Sequence, residues 1–392
     1  MSAGVLIYVQ HLLGIGHLKR AATLARACAE AGLEVTLVSG GRVVPGLDSG
    51  AARVLQLPPA RAADESFRTL LDDSGTPVDA AWEARRRELL LASFAAASPN
   101  VLVLEMFPFG RRRLAFELMP LIEAAAATRP AVSIVCSVRD ILVRKQKPGR
   151  DEHTAELIET WFDHVLVHGD PGLVRLDRTF PLAPRIADRI HYTGYVAEPA
   201  PARGAATGAG AGEVIVSAGG GAVGGRLLAC ALEARSQTTL EGAPWRLLAG
   251  ANLDHDRFAA LVERAPRGVT VERVRADFPA LLANCRLSIS QAGYNTVASV
   301  VRAGVRSVLV PFAGGGENEQ ELRAELLRGR GAVQVVAESA LEPRTLAAAV
   351  DAAAHGPPAS AAGIDLSGAE TSARLIVDWA RASPLAIAGG GD

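Results

Sequence analysis

The sequence has no excess of charge of either sign. Its 392 residues include 41 Lys and Arg against 42 Asp and Glu, and the formal net charge is -1. Proteins that bind nucleic acid chiefly through its phosphates carry a strongly basic surface. The balance therefore argues against nucleic acid as a partner, and any anionic ligand must be recognised by a local site.

Cysteine and long hydrophobic runs are both scarce. The four cysteines match no zinc or redox spacing and lie in largely apolar stretches, which predicts buried thiols in a reducing compartment. No stretch approaches the ~18 apolar residues that would span a bilayer, and no basic segment precedes the apolar residues 5–9. We therefore predict a cytoplasmic protein without a transmembrane segment.

The signatures of several enzyme classes are also missing. The sequence contains no P-loop, no G-x-S-x-G elbow and no H-E-x-x-H metal motif. Asp254-His255-Asp256 has the D-x-D form used by metal-dependent transferases of a different fold, but it introduces a helical pattern and is interpreted as a helix cap. We predict neither a protein-bound metal nor a cofactor.

What the sequence does contain is one structural plan, repeated in two halves. Short β-branched strands run through glycines into helices with apolar residues at helical spacing, which predicts an α/β protein with doubly wound parallel sheets. Residues 198–212 are rich in Pro, Ala and Gly and predict a linker. The predicted division is an N-terminal domain of residues 1–197, this linker, a C-terminal domain of residues 213–385, and a disordered tail of residues 386–392.

The plan predicts specific elements in each half. In the first half, strands are predicted at residues 5–9, 34–38, 54–57, 101–104, 132–136 and 164–167, and helices at 17–31, 80–97 and 114–128. In the second half, strands are predicted at residues 213–217, 246–249, 270–274, 287–290, 307–310 and 332–335, and helices at 225–235 and 368–382.

A glycine-rich turn follows the first strand of the second half and contains Gly219, Gly220, Gly221 and Gly224. Without side chains, such a turn lets a ligand approach backbone amides at the positive end of a helix, as an anion site requires. The spacing also fits G-x-G-x-x-G, but the next strand ends without the acidic residue that grips a dinucleotide ribose. This disfavours nicotinamide chemistry; glycines used only for close helix packing are the structural alternative.

Two later turns should reach the same sheet edge, because parallel strands deliver their carboxyl ends to one side. In the first turn, Gly293, Asn295 and Thr296 offer groups that could bind a phosphate. In the second, Glu317 and Gln320 stand three residues apart at a helix start and can point together at hydroxyls. The alternative for this pair is a capped, solvated helix.

In the first half, Gly14 and Gly16 lead directly to His17 at a helix start. The positive helix end lowers the proton affinity of a histidine, so we expect His17 to be neutral and able to accept a proton near pH 7. A capping or packing histidine is the alternative.

These motifs, in this order, resemble those of the GT-B nucleotide-sugar glycosyltransferases, most closely the branch of the peptidoglycan lipid II N-acetylglucosaminyltransferase and its relatives. The resemblance covers both halves and rests on residues 14–17, 219–225 and 290–296 and on Glu317 with Gln320. It implies two Rossmann-like domains facing a cleft. The C-terminal domain would hold a nucleotide-diphosphate sugar of the UDP class, and the N-terminal domain would hold the acceptor.

The resemblance also implies a role for individual residues. His17 would face the reaction centre, and Glu317 and Gln320 would contact the sugar hydroxyls. The family places a ribose-binding glutamate where this sequence has Ser299, which leaves the nucleotide base open. The residues implied at the diphosphate are Gly219, Gly220, Gly221, Gly293, Asn295 and Thr296.

The acceptor half is less determined. Glu105 and Asp140 each follow a strand, and either could be the base that deprotonates the acceptor. Arg111 and Arg139, with the two glycines before His17, are predicted on the acceptor side. The run of arginines from Arg111 is either a solvated helix start or a site for an acceptor phosphate or an anionic membrane surface. The acceptor is thus unknown, and a phosphate-bearing or lipid-linked molecule is compatible with the sequence. Peripheral contact of the protein with the inner face of the membrane is compatible as well.

The predicted function is transfer of a sugar from a nucleotide-diphosphate sugar to an acceptor, with the stereochemical course open. Two other functions use the same donor site: a nucleotide-sugar epimerase or hydrolase of the same fold, and a non-catalytic nucleotide-sugar sensor.

Overall fold

The computed structural model describes residues 3–12, 14–64, 69–128, 132–143, 148–199, 208–219, 224–314 and 318–382. These residues form two compact units. The first unit runs up to Val196 and resumes at Asp365, whereas the second unit spans Ala197–Ile364.

The first unit contains a parallel sheet of seven strands. Its strands are β1 (Gly4–Val9), β2 (Glu34–Ser39), β3 (Arg53–Gln56), β6 (Val101–Glu105), β7 (Ser133–Arg139), β8 (His164–His168) and β9 (Ile190–Tyr192), and a separate short antiparallel pair comprises β4 (Arg61–Ala62) and β5 (Leu70–Leu71). The spatial order is β3-β2-β1-β6-β7-β8-β9. Every residue of β1 and β6 is buried, as expected for central strands covered on both faces. The helices between them are α1 (Gly16–Glu30), α2 (Ala80–Ala97), α3 (Ala115–Ala127) and α4 (Arg150–Trp161).

The second unit repeats this architecture on a smaller parallel sheet. Its strands are β10 (Val214–Ser217), β11 (Trp245–Ala249), β12 (Val269–Arg273), β13 (Leu287–Ser290), β14 (Ser307–Leu309) and β15 (Gln334–Val335), in the order β12-β11-β10-β13-β14-β15. Its helices are α5 (Gly225–Ala234), α6 (His255–Glu263), α7 (Phe278–Asn284), α8 (Tyr294–Ala303), α9 (Glu319–Gly329) and α10 (Pro343–His355). The predicted α/β class with two doubly wound parallel sheets is confirmed.

The last helix, α11 (Gly368–Ala382), belongs to the first unit. Its buried residues Ile376 and Ala380 join the core cluster of β1 and α1. Just before it, Tyr195 N donates to Asp365 O at 2.8 Å, which ties the returning chain to the end of the first unit's main segment. The sequence-based division kept residues up to 385 in the second domain. The structure instead assigns the last helix to the first unit. The sequence could not show this, because an apolar helix face indicates that a helix is buried but not which sheet buries it.

Most predicted elements are present, with ends displaced by one to three residues, and α2 and α11 match their predicted bounds. The pattern did not predict α4, α7, α10 or β9, nor the short strands β4 and β5. Asp254 caps α6 by accepting from the backbone N–H groups of Asp256 and Arg257, which confirms that interpretation of the acidic triplet. The cysteines are free; Cys285 is partly exposed and the others are buried. Residues 200–207 of the predicted linker and the predicted tail lie outside the described residues.

Candidate active site

Each sheet contains one point at which the chain reverses its direction of strand addition. In the first sheet β1 lies between β2 and β6, and in the second sheet β10 lies between β11 and β13. Loops that leave two such strands diverge to opposite faces and open a crevice at their carboxyl ends, where α/β proteins bind ligands. Several of the residues predicted to be functional, among them His17, Glu105, Gly219 and Gly293, lie at or next to these two points.

At the first of these points, a histidine and a carboxylate are hydrogen-bonded. His17 lies in the first turn of α1, Glu105 ends β6, and His17 Nδ1 is 2.9 Å from Glu105 Oε1. Glu105 is 1% exposed, whereas the His17 side chain keeps 22% of its surface exposed. A proton on Nδ1 that is donated to Glu105 leaves Nε2 as the proton-accepting nitrogen of the ring.

The surroundings keep His17 neutral and Glu105 ionised. Burial lowers the pKa of His17 to about 4; Glu105 opposes this shift, and Arg111 adds to it. Burial would raise the pKa of Glu105, but the interactions with His17, whose ring is protonated only at low pH, and with the Arg20 guanidinium outweigh it and lower that pKa to about 2. The guanidinium of Arg20 is itself buried and contacts the same carboxylate oxygen. The expected neutral histidine is therefore present, but burial rather than the helix end is the main cause.

Asp140, the other candidate base, is in a different environment. It is fully buried after the end of β7, and the hydroxyl of Tyr195 donates a hydrogen bond to its Oδ2. A side chain added at Gly169 would collide with Asp140 Cβ at 2.7 Å, so Gly169 packs directly against Asp140. This arrangement favours a structural role for Asp140 and leaves the His17 and Glu105 pair as the candidate catalytic group.

The loop after β6 brings Arg111 toward this pair in a strained backbone conformation. Arg111 has φ +61° and Met106 has φ +67°, both in the left-handed region that disfavours residues with side chains. The guanidinium of Arg111 makes neither a hydrogen bond nor an ion pair with the residues that the structure describes. Burial lowers the pKa of Arg111, and Glu105 is the nearby charge that opposes the shift most strongly.

The two arginines after Arg111 have structural partners. Arg112 Nη2 donates to the carbonyl oxygen of Arg150 at 2.8 Å, and Arg113 forms an ion pair with Glu83 at 2.6 Å. Of the predicted run, Arg111 is thus the residue whose charge is available at the candidate site. Arg139 ends β7 at the same sheet edge and is partly buried.

The turn that carries His17 begins at a residue that the sequence analysis did not single out. His11 follows β1 and is buried, and its Nδ1 has no hydrogen-bond partner among the described residues. Burial lowers its pKa, and the charge of Arg111 adds to that shift. At the other end of the turn, Gly14 faces open space, because a Cβ added there would meet nothing within 4 Å. The available signal for His11 was its position, a polar residue two positions after the end of a buried strand.

A buried arginine stabilises the backbone at the start of this turn. Arg86 of α2 forms a fully buried ion pair with Glu117 of α3 at 2.7 Å. It also donates to the carbonyl oxygen of Gly40 at 2.8 Å and to Gln10 Oε1 at 2.6 Å. Gln10 in turn donates to the carbonyl oxygen of His11 at 2.8 Å. The backbone at the start of the turn that leads to His17 is therefore fixed by a network that reaches α2 and α3.

In the second unit, the predicted donor turns meet at the other reversal point. Gly219 adopts a left-handed conformation at φ +73°, and a Cβ there would lie 3.5 Å from Gln291 Oε1. The backbone N–H of Gln291 donates to the carbonyl oxygen of Ser217 at 3.3 Å. The turns after β10 and β13 are therefore in contact. Gly220 and Gly221 lie outside the described residues.

The turn after β13 leads into the first turn of α8. Gly293 is the N-cap residue of this helix, and a Cβ added there would meet nothing within 4 Å. Asn295 and Thr296 follow in the first helical turn and are partly buried, and Ser299 lies one turn further. A helix start with open space at its N-cap residue is suited to an anion such as a diphosphate.

Helix α9 joins the third predicted turn to the second. Gln320 Oε1 accepts hydrogen bonds from the backbone N–H groups of Ala292 and Phe312, at 3.1 and 3.2 Å. Gln320 therefore does not cap its own helix, and its Nε2 is the group of the amide that remains to donate. Arg323, which the sequence analysis missed, donates to the carbonyl oxygen of Ala292 at 2.9 Å. Glu317 lies outside the described residues.

Metal ligation and membrane spanning can be assessed for the described part of the chain. No group of three or more His, Cys, Asp or Glu side chains is arranged there to hold a metal ion. None of the described helices is long and apolar enough to cross a membrane.

Comparison with known proteins assigns the second half of the chain. Residues 219–377 match the glycosyltransferase family 28 C-terminal domain. This region of the chain is therefore similar to the C-terminal domain of family 28 glycosyltransferases. This match includes all three donor turns and confirms the resemblance inferred from the motifs.

One relative comes from Rhizobium johnstonii and is named UDP-N-acetylglucosamine--N-acetylmuramyl-(pentapeptide) pyrophosphoryl-undecaprenol N-acetylglucosamine transferase. It is 29% identical over 132 residues, which make up 33% of this chain and 35% of the relative. The alignment thus spans about a third of the relative's length.

Solved structures resemble the chain over nearly its whole length. The calicheamicin glycosyltransferase CalG4 shares 17% identity at a TM-score of 0.58, and the match covers 99% of this chain and 98% of CalG4. MurG of Acinetobacter baumannii shares 14% identity at a TM-score of 0.54, covering 97% and 99%. At these identities the likeness concerns the fold alone. It confirms the predicted GT-B class.

Proposed function

We propose that the protein is a glycosyltransferase that moves a sugar from a nucleotide-diphosphate sugar of the UDP class to an acceptor hydroxyl. The observation that carries this proposal is the hydrogen bond between His17 and Glu105 in a chain whose second half is similar to the family 28 C-terminal domain. A neutral histidine oriented by a buried carboxylate is the arrangement that general-base catalysis requires.

In the proposed reaction, Nε2 of His17 takes the proton of the acceptor hydroxyl while Nδ1 donates to Glu105. The acceptor oxygen forms a bond to the anomeric carbon of the sugar, and the bond from that carbon to the diphosphate oxygen breaks. The ionised Glu105 stabilises the imidazolium that forms. A single displacement of this kind inverts the anomeric configuration.

The departing diphosphate gains negative charge, and backbone N–H groups can stabilise it without reorganisation. We assign this role to the first turn of α8, with Gly293, Asn295 and Thr296, and to the glycine turn at Gly219. Gln320 Nε2 would donate to a sugar hydroxyl, and Glu317 remains a proposed second contact to the sugar. Neither a protein-bound metal nor a cofactor enters the proposal, because the nucleotide sugar is the substrate.

We propose further that the acceptor carries an anionic group, such as a phosphate, bound by Arg111. A partly buried guanidinium without an ion pair gains most from a ligand of opposite charge. The relative from Rhizobium johnstonii has a pyrophosphoryl-undecaprenol substrate in its name. A phosphate-bearing or lipid-linked acceptor would fit a cytoplasmic enzyme with peripheral contact to the inner face of the membrane.

The first test is calorimetry of the full chain with uridine and thymidine diphosphates, followed by turnover of the corresponding sugar nucleotides. Donor binding, with sugar release that depends on an added phosphate-bearing acceptor, supports a transferase. Release from the donor alone at the full rate would instead identify a hydrolase. Binding without turnover for any acceptor, and with no effect of His17→Ala, would identify a sensor.

A further inference from the structure

Helix α9 holds both backbone polar groups of one residue in the donor turn. Gln320 Oε1 accepts from Ala292 N at 3.1 Å, and Arg323 Nη1 donates to Ala292 O at 2.9 Å. Gln320 and Arg323 stand three residues apart and therefore project from the same face of α9. Ala292 is fully buried and directly precedes Gly293, the N-cap residue of α8.

The same glutamine oxygen reaches a second turn. Gln320 Oε1 also accepts from Phe312 N at 3.2 Å, in the segment that follows β14. Two backbone N–H donors require an oxygen at this position, so the orientation of the amide is determined by its partners. The side chain that would donate to a sugar hydroxyl is therefore also the one that links the two turns.

Arg323 is buried at a position where a charge is costly. Its side chain is 0% exposed, its guanidinium lies 5.8 Å from the centre of the Tyr294 ring, and Glu319 Oε2 is 3.9 Å away. A buried guanidinium is tolerated when hydrogen bonds compensate its lost hydration, and one of these bonds goes to Ala292. Tyr294 is the first residue of α8, so Arg323 contacts the residues on both sides of Gly293.

We propose that Arg323 is a positioning residue for the donor diphosphate, and that Gln320 shares this task through Ala292. Together they hold the turn before α8 so that the N–H groups of its first turn face the phosphates in a preorganised geometry. The inference rests on the proposed function, because it assumes that this helix start binds the diphosphate. It adds that recognition of the sugar and binding of the diphosphate are coupled through one side chain.

The experiment measures the affinity of the full chain for uridine and thymidine diphosphates, which contain no sugar. The variants are Arg323→Met, Gln320→Met and the double variant. We expect each single variant to weaken diphosphate binding about tenfold, the effect of roughly one lost hydrogen bond. The diphosphate affinity of the double variant should be about equal to that of the single variant that binds more weakly. The two effects should not add, because both side chains act on Ala292.

Arg328→Met is the matched control. Arg328 lies on the same helix, is exposed, and pairs with Glu325, so its replacement removes the same charge without touching the turn. Its diphosphate affinity should equal that of the unmodified chain. Thermal unfolding verifies that each variant is folded, and Arg323→Lys replaces Arg323→Met if the latter does not fold.

The measured affinities distinguish the coupling from its alternatives. If Gln320 acts on the sugar alone, Gln320→Met leaves the affinity for a sugar-free diphosphate unchanged. That result overturns the coupling. A loss in Arg323→Met without one in Gln320→Met indicates a direct effect of charge and also overturns it. If the unmodified chain binds neither diphosphate, the proposed donor site fails and the inference falls with it.

Discussion

His17 and Glu105 face each other across the reversal point of the first sheet, with Nδ1 of the histidine 2.9 Å from Oε1 of the carboxylate. They are 88 positions apart and meet because β1 and β6 are adjacent strands, with Tyr8 opposite Leu104. Arg20, on the next turn of α1, contacts the same carboxylate. One buried carboxylate therefore orients a histidine and balances the charge of an arginine.

Replacing this carboxylate by its amide tests the proposed catalytic pair. In Glu105→Gln the negative charge that stabilises the imidazolium is lost, so we expect kcat to fall about 10²- to 10⁴-fold. The affinity for nucleoside diphosphates should not change, because the donor turns belong to the second unit. Steady-state transfer assays and calorimetry measure the two quantities. Glu83→Gln, at the ion pair with Arg113, is the control that should keep its kcat.

The pH dependence of the rate follows from the low pKa of His17. Burial moves this pKa from 6.5 to about 4, so the neutral, proton-accepting ring persists well below the ordinary range of histidine. We expect kcat/KM to stay level between pH 8 and about 5 and to decline only as the ring is protonated below that. A profile measured in constant ionic strength buffers checks this. A decline centred near pH 6.5 would show that the base is not this buried histidine.

Arg111 offers a test in which stability and activity should move in opposite directions. Arg111→Gly relieves the left-handed backbone conformation and removes a guanidinium without an ion pair, so we expect the protein to gain ~1 kcal/mol of stability. Transfer to a phosphate-bearing acceptor should fall at the same time. Thermal unfolding and the acceptor KM are the measurements. A less stable variant with an unaltered acceptor KM would assign Arg111 to packing.

Asp140 and Tyr195 test whether the second candidate carboxylate is structural. Tyr195→Phe removes the hydroxyl that donates to the buried Asp140, and the loss of this buried hydrogen bond costs about 1–3 kcal/mol. We expect lower stability in denaturant unfolding with kcat nearly unchanged. A large loss of kcat at unchanged stability would instead return Asp140 to the list of candidate bases.

A histidine pair beneath the last helix predicts how stability depends on pH. His164 Nδ1 is 3.1 Å from His191 Nε2, and the His164 ring stacks on Trp379 of α11 at 3.9 Å. Burial lowers the pKa of His164 from 6.5 to about 4, and His191 adds to the shift. The unfolded chain therefore binds a proton that the folded chain excludes, and stability is lost as the pH falls from about 6.5 toward 4.

His164→Phe isolates this contribution because phenylalanine can keep the stack on Trp379. After a discount for solvent screening, the unmodified protein should lose ~1 kcal/mol more than the variant between pH 7.5 and 5. Urea unfolding at both pH values measures the difference. His255→Phe, at an exposed histidine, is the control and should behave like the unmodified protein. Parallel pH dependences for all three proteins would contradict the expectation.

Local sequence patterns determined much of this protein. Buried β-branched runs and helical spacing were sufficient for the α/β class, for two sheets, and for the bounds of α2 and α11, because these signals depend on neighbouring residues. The direction of parallel strands was sufficient to place the turns at Gly219 and Gly293 and the segment at Phe312 along one sheet edge.

Only the tertiary structure decided which distant residues meet. Whether Glu105 or Asp140 faces His17 depends on β6, and not β7, lying beside β1. Arg323 became a site residue only because α9 packs against the turn at Ala292. The last helix joined the first unit although it follows the second in sequence. The physical reason is the same in each case: periodicity shows which face of an element is buried, whereas its partner is selected by packing between segments that are far apart in the chain.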